Sequence, residues 1–250
     1  MHPTTLISPL AVIALVTLAG PAQAQPRADA RPGVRPTRPA AGAIKGFVIF
    51  EGEAPDRKPL VRDSDPYCTK SAALAEDVIV TKGKLKDVLV RIQNGSAGTH
   101  AAPAQPAVFD QRDCMYTPRV VGVVAGQQLA VRNSDGTFHN VRGAVAGKPL
   151  WNKPHPKGAG DLALATSPRA GDVIDVVCDV HPWMHAYAVV QDHPYFAVTR
   201  EDGAFEIKGL APGTYTLEAW HPTLGTRTLT VKIGTGPKAV VPARLSYKAN

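Results

Sequence analysis

The chain of 250 residues is poor in sulfur and in the usual signatures of catalysis. Cysteine occurs three times, at Cys68, Cys114 and Cys178, and beyond Met1 the only methionines are Met115 and Met184. There is no G-x-S-x-G, P-loop, C-x-x-C or H-E-x-x-H, which argues against serine hydrolase, nucleotide-dependent, thiol-redox and zinc-protease chemistry. The extra His-rich clusters that multicopper oxidase chemistry needs are missing too, so we expect no enzyme and assign no catalytic residue. Long helical periodicity is absent. The apolar residues come in short runs broken by 22 Gly and 23 Pro, a pattern that favours an all-β sandwich or barrel. No aromatic-basic motif or dense Lys/Arg stripe accompanies the net charge of +7, so no nucleic acid is expected. Arg27, Arg31, Arg35 and Arg38 against Asp29 place +3 of that charge in residues 25–42 and leave a mild +4 elsewhere.

The one extended apolar run, Leu6 to Leu18, is too short to span a bilayer. Followed by Pro21-Ala22-Gln23-Ala24, it reads as a secretory signal (residues 1–24) cleaved near Ala24, although no Lys or Arg precedes it. No Cys lies near the cleavage site, so no lipid anchor is expected. The expected location is periplasmic or secreted. Residues 25–42, rich in Pro, Ala and Arg, read as an extended linker.

What the chain does have is concentrated in Cys178-Asp179-Val180-His181-Pro182-Trp183-Met184, which follows the β-like run Val173 to Val177. A thiolate, an imidazole and a thioether fall within seven residues. A second histidine, His139, stands upstream in Val131-Arg132-Asn133-Ser134-Asp135-Gly136-Thr137-Phe138-His139-Asn140-Val141. Soft sulfur favours Cu(I), two imidazoles serve both oxidation states, and a weak axial Met tunes the potential, so this donor set suits a mononuclear copper centre.

C-x-x-H-P-x-M preceded by N-x-D-x-x-x-H-N-V resembles the cupredoxins, and most of all the amicyanin and plastocyanin-like electron carriers. By that resemblance, residues 98–191 form a Greek-key β-sandwich holding one type 1 copper on His139, Cys178, His181 and Met184. It implies that Asn140 ties the two ligand loops together. It also implies that His181, with Pro182, is the solvent-edge port where a redox partner such as a cytochrome or dehydrogenase docks. Asp179 departs from the small hydroxyl residue common after the family's Cys. His185 competes as a ligand, but on a strand it would point away from Met184. His100, His155, His193 and His221 fit no ligand spacing, and His193-Pro194 and His221-Pro222 read as turns. If Cys178 holds metal, Cys68 and Cys114 are free to pair, and an exported chain permits the disulfide. Two unpaired thiols are the alternative, and only the Cα separation decides.

Strands are expected over Ala43–Gly52, Asp87–Gln93, Met115–Val124 and Gln127–Arg132, with Gly143–Asp172 as an irregular loop. In the C-terminal part, Asp202-Gly203 and Pro212-Gly213 mark turns, the first with the signal of a hairpin. Thr199 to Leu217 resembles the carboxypeptidase regulatory-like (transthyretin-like) β-sandwich, whose opening strand Ile44-Lys45-Gly46-Phe47-Val48 would supply. The expected architecture is therefore a copper sandwich inserted into a smaller module made of residues 43–97 and 192–250. A separate C-terminal module is the simpler alternative. The function expected is one-electron transfer. Two alternatives remain: non-redox copper storage or delivery, or zinc binding, at the same residues; and a carbohydrate- or envelope-binding β-sandwich.

Overall fold

The computed structural model of the protein describes residues 42–93, 100–166, 169–235 and 240–248. The signal and nearly all of the linker lie outside the described residues. Among the described residues, eighteen strands follow one another in chain order. Before the central region come β1 (Gly42–Glu51), β2 (Val80–Thr81), β3 (Lys84–Leu85) and β4 (Leu89–Ile92). The central strands are β5 (Ala107–Arg112), β6 (Met115–Thr117), β7 (Val120–Val124), β8 (Leu129–Asn133), β9 (His139–Val145), β10 (Lys148–His155), β11 (Leu162–Leu164), β12 (Val173–Val177) and β13 (His185–Gln191). The last are β14 (Phe196–Val198), β15 (Ala204–Leu210), β16 (Gly213–His221), β17 (Gly225–Ile233) and β18 (Val240–Lys248). The only helical piece among the described residues is a 3-10 turn, Cys68–Lys70.

The protein is all-β. The central strands make a β-sandwich, with sheet β10-β9-β12-β13-β7 facing sheet β11-β8-β5-β6. Its core is built by alternation: Ile174 and Val176 of β12 and Ala186, Ala188 and Val190 of β13 point inward against Phe109, Leu129 and Val131. A second β-sandwich takes its strands from both ends of the described chain. Its sheets are β15-β1-β3-β2, with β18 parallel to β1, and β14-β4-β16-β17. Ile44, Val48, Val90, Phe205, Leu217 and Tyr247 fill its interior. Burying an aliphatic side chain such as Ile44 or Leu217 is worth about 1.5–3 kcal/mol.

Three sequence expectations change. Met115–Val124 is not one strand: the chain leaves one sheet after Thr117 and enters the other at Val120, with Pro118 between, where its missing N–H breaks no ladder. Asp202-Gly203 turns the chain but makes no hairpin. β14 pairs with β4 whereas β15 pairs with β1, so the turn arches between sheets. Finally, Gly143–Asp172 holds real strands. Ala146 and Gly147, both at positive φ, close a two-residue hairpin between β9 and β10. Pro149 and Pro154 are tolerated because β10 is an edge strand paired only with β9.

Candidate metal centre

β9, β12 and β13 are consecutive neighbours in one sheet, and this adjacency assembles the site. His139 opens β9, Cys178 follows the last residue of β12, and Met184 immediately precedes β13. The seven-residue loop closes on itself: the Cys178 N–H donates to Met184 O (3.3 Å) and the Met184 N–H to His181 O (2.9 Å). Cys178, His139, His181 and Met184 are all buried.

Three donor atoms converge. His139 Nδ1 and His181 Nδ1 are 2.9 Å apart, and Cys178 Sγ is 3.8 Å from each. A triangle with these sides has its centre about 2.1 Å from every corner, close to the lengths of metal–imidazole and metal–thiolate bonds. The tautomers follow from the far side of each ring. His139 Nε2–H donates to Asp135 Oδ2 (2.9 Å), and His181 Nε2–H donates to Asp65 Oδ2 (3.0 Å). A carboxylate accepts only from N–H, so in the neutral rings both Nδ1 atoms face inward as lone pairs. Two imidazole nitrogens and a sulfur this close together could hold a metal ion. The donor set fits copper: two imidazoles and a thiol, with Met184 buried in the same core cluster as Cys178.

The surrounding electrostatics favour the ligating forms of Cys178 and His181 and pull His139 toward its protonated form. Burial opposes the Cys178 thiolate, but hydrogen bonding to His139 and to the backbone N–H groups of Asn140 and Val180 outweighs it and lowers the thiol pKa. For His139, burial is likewise outweighed, by bonds to Asp135 and Cys178, and the pKa is raised. His181 is lowered, chiefly by burial and then by the neighbouring His139, with Asp65 opposing in part.

Asn140 links the ligand-bearing segments, its Oδ1 accepting from the Asp179 N–H (2.6 Å) and its Nδ2 donating to Asp179 Oδ2 (2.8 Å). Asp179 is held in turn by Arg142 and Asn152. The residue that departs from the cupredoxin pattern is thus the anchor of a polar network. His185 is exposed and near Asp175 (3.6 Å), outside the cluster. His155 is fully buried but bonded to Gln111 and the Gly160 carbonyl, and His193 bonds Ile92 O.

Cys68 and Cys114 form a disulfide with Cα atoms 5.6 Å apart. The bridge lies against the site, with Cys68 Sγ 3.6 Å from His181 Nε2. His181 was expected at the solvent edge; it is instead only 2 % exposed. The strap between β1 and β2 lies over it, carrying Asp65 and Cys68, and Trp183 covers it from the side with its ring 5.1 Å away. The Trp183 indole is fixed by donation to Cys114 O (2.9 Å). Two outer carboxylates, Asp65 and Asp135, escaped the sequence reading as functional residues. Asp135 is the acid of the N-x-D-x-x-x-H segment that leads to His139. Asp65 is 116 residues from His181, and its only pointer is its place three residues before Cys68.

Residues 166–241 match the family described as polysaccharide lyase family 4, domain II. No curated protein matches the chain. Among solved structures, a purple cupredoxin from Nitrosopumilus maritimus is similar at 21 % identity, over 34 % of this chain and 99 % of that one, with a TM-score of 0.31. A Cu(I) amicyanin variant is similar at 21 % identity, over 41 % of this chain and 98 % of the other, with a TM-score of 0.31. The copper-containing nitrite reductase from Thermus scotoductus shares 16 % identity over 40 % of this chain, with a TM-score of 0.32, and the match spans only 26 % of that enzyme.

Proposed function

We propose that this protein is an exported blue-copper electron carrier whose single type 1 ion is held by His139, Cys178, His181 and Met184. The observation that carries the reading is the convergence of two inward Nδ1 lone pairs and one thiol sulfur, 2.9–3.8 Å apart and shielded from water. A bound copper ion supplies a one-electron couple between Cu(II) and Cu(I). The chain's part is to keep the donors still: β9, β12 and β13 fix their origins, Asn140 and Asp179 lock the loop, and Pro182 restricts its backbone. Small ligand movement keeps the barrier to electron transfer low. A carrier of this kind makes and breaks no substrate bonds.

The reading takes residues 98–191 as the copper domain and residues 43–97 with 192–250 as a second, discontinuous module. Sheet membership supports this, since β1 pairs with β15 and β18, β4 pairs with β14 and β16, and only the intervening strands build the central sandwich. Export to the periplasm or beyond, after cleavage near Ala24, is supported by the disulfide, which oxidising compartments preserve. No described helix is long and apolar enough to cross a membrane. The partner is a redox protein, a cytochrome or dehydrogenase, and it meets the covering residues around Pro182 and Trp183 rather than His181 itself.

The visible spectrum of the purified protein loaded with Cu(II), beside Cys178→Ser, tests the proposal. An intense thiolate-to-copper band is expected, bleached by reductant and absent from the variant. A colourless wild type that still binds one metal ion would replace electron transfer by storage or zinc binding.

A further inference from the structure

The strap between β1 and β2 belongs to neither sheet of the central sandwich, yet it reaches one of the candidate ligands. Its ends are drawn together by Leu60 N–H donating to Ala73 O (2.9 Å) and Ala75 N–H to Lys58 O (2.8 Å). It is anchored to the central sandwich at several points. The Cys68–Cys114 bridge is one. Arg62 donates to Asp113 O (2.6 Å) and also to Ser71 of the strap itself. Tyr67 packs on Gly136 so closely that a Cβ there would lie 2.7 Å from its ring. At the centre of these anchors is Asp65. Its Oδ1 accepts from the Tyr67 N–H (2.7 Å), and its Oδ2 accepts from Thr137 Oγ1 (2.7 Å) and His181 Nε2 (3.0 Å). The carboxylate is therefore oriented from its own strap and from the segment just before His139.

We propose that Asp65 is a positioning residue for the metal centre, and that the disulfide-pinned strap uses it to fix the His181 ring with Nδ1 inward and to seal that ligand from solvent. The inference rests on the copper reading but concerns a hydrogen bond that exists with or without metal. Asp135 does the same for His139 from within the central sandwich, so each imidazole has its own carboxylate. The His181 carboxylate alone is supplied by a segment from outside residues 98–191. Orientation by an outer carboxylate also raises the basicity of the imidazole, which favours Cu(II) over Cu(I).

The experiment compares wild type, Asp65→Asn, Asp65→Ala and Thr137→Val in two states. In the metal-free protein, long-range proton–nitrogen NMR of the histidine rings is expected to show His181 as the Nε2–H tautomer in wild type. Asp65→Ala should lose this preference, and Thr137→Val should largely keep it. With copper alone added, Asp65→Ala should keep the Cys178-dependent band, release copper to a chelator about 10–100-fold faster, the usual cost of removing an outer partner, and show a higher reduction potential. Asp65→Asn, which keeps the shape and an acceptor oxygen, should fall between. An Asp65→Ala protein with unchanged His181 tautomer, release rate and potential overturns the inference while leaving the copper reading intact. A wild type that binds no copper, but whose His181 tautomer still depends on Asp65, does the reverse. Should Asp65→Ala fail to fold, Asp65→Asn decides by the same readouts.

Discussion

Two acids near the inner face of the strap and the sheets experience burial differently. Burial works against the charge of Asp65, but donors from Thr137, Tyr67 and His181 outweigh it, and its pKa falls below the ordinary carboxylate value. Asp87, 2 % exposed and with Oδ2 unpartnered, has no such compensation, and burial pushes it from 3.8 to about 6 despite Lys86 and Arg119 nearby. Between these two pH values the folded state binds more protons than the unfolded one. The stability associated with the protonated form is thus complete below 3.8 and is lost as pH rises through about 6. Replacing the carboxylate by its neutral isostere should remove the loss. Asn tolerates the positive φ of 61° found at Asp87. Asp87→Asn is therefore expected to stabilise the protein by about 2–3 kcal/mol at pH 7–8, at 1.36 kcal/mol per pH unit, and to be neutral near pH 4. Denaturant unfolding at both pH values checks this, and an equal effect at both would show that the buried charge is not the cause. At this scale the sequence was informative about donors and silent about their partners. Cys178, His181 and Met184 were readable because seven residues carry them, and Asn140 because it adjoins His139. Asp65 and Thr137 became partners only when distant loops met.

Strand positions followed from alternation, but pairing did not. In β16 the inward set Tyr215, Leu217, Ala219 and His221 is spaced by two, so the strand could be read directly. Which strand it joins depends on how the chain crosses between sheets, and Asp202-Gly203 gives the same turn signal for an arch as for a hairpin. Gly143–Asp172 failed for a different reason: its prolines resemble loop punctuation unless one knows that β10 lies at an edge. The arch makes a definite demand on its glycine. Gly203 has φ +65°, its carbonyl accepts from the Val48 N–H (2.9 Å), and a Cβ would sit 2.6 Å from Val48 O. Gly225, in the true hairpin between β16 and β17, has φ +73° but open space around it. Gly225→Ala should cost only the left-handed backbone term, about 1–2 kcal/mol. Gly203→Ala must in addition displace backbone of β1, and its melting temperature should fall further. Thermal denaturation of the pair tests the arch; equal losses would mean that β1 yields without cost.

The two sandwiches share a packed apolar cluster. Leu89 of β4 is fully buried against Val120 of β7 and Val189 of β13, with Phe196, Val198, Tyr187 and Trp220 closing the cluster. This third core belongs to neither interior, and together with the Asp65 strap it makes the central sandwich depend on the rest of the chain. Such a shared core was out of reach from sequence, because its members lie on outward faces that alternation alone would assign to solvent. Its tightest point is Gly122 on β7. A Cβ there would fall 2.3 Å from the Phe196 ring and 2.9 Å from Leu89 Cδ1. Wild type should therefore unfold in one calorimetric transition, since neither sandwich can lose its neighbour without exposing this apolar surface. Gly122→Leu inserts a wedge between the sandwiches while leaving the donor atoms on β9 and the ligand loop in place. It should split the endotherm into two and keep the Cys178-dependent band expected of the copper-loaded protein at low temperature. Two separate transitions already present in wild type would show that the cluster packs the sandwiches together without coupling their stability. A single, merely lowered transition in Gly122→Leu would place the coupling in the disulfide-bonded strap, whose reduction should then separate the transitions.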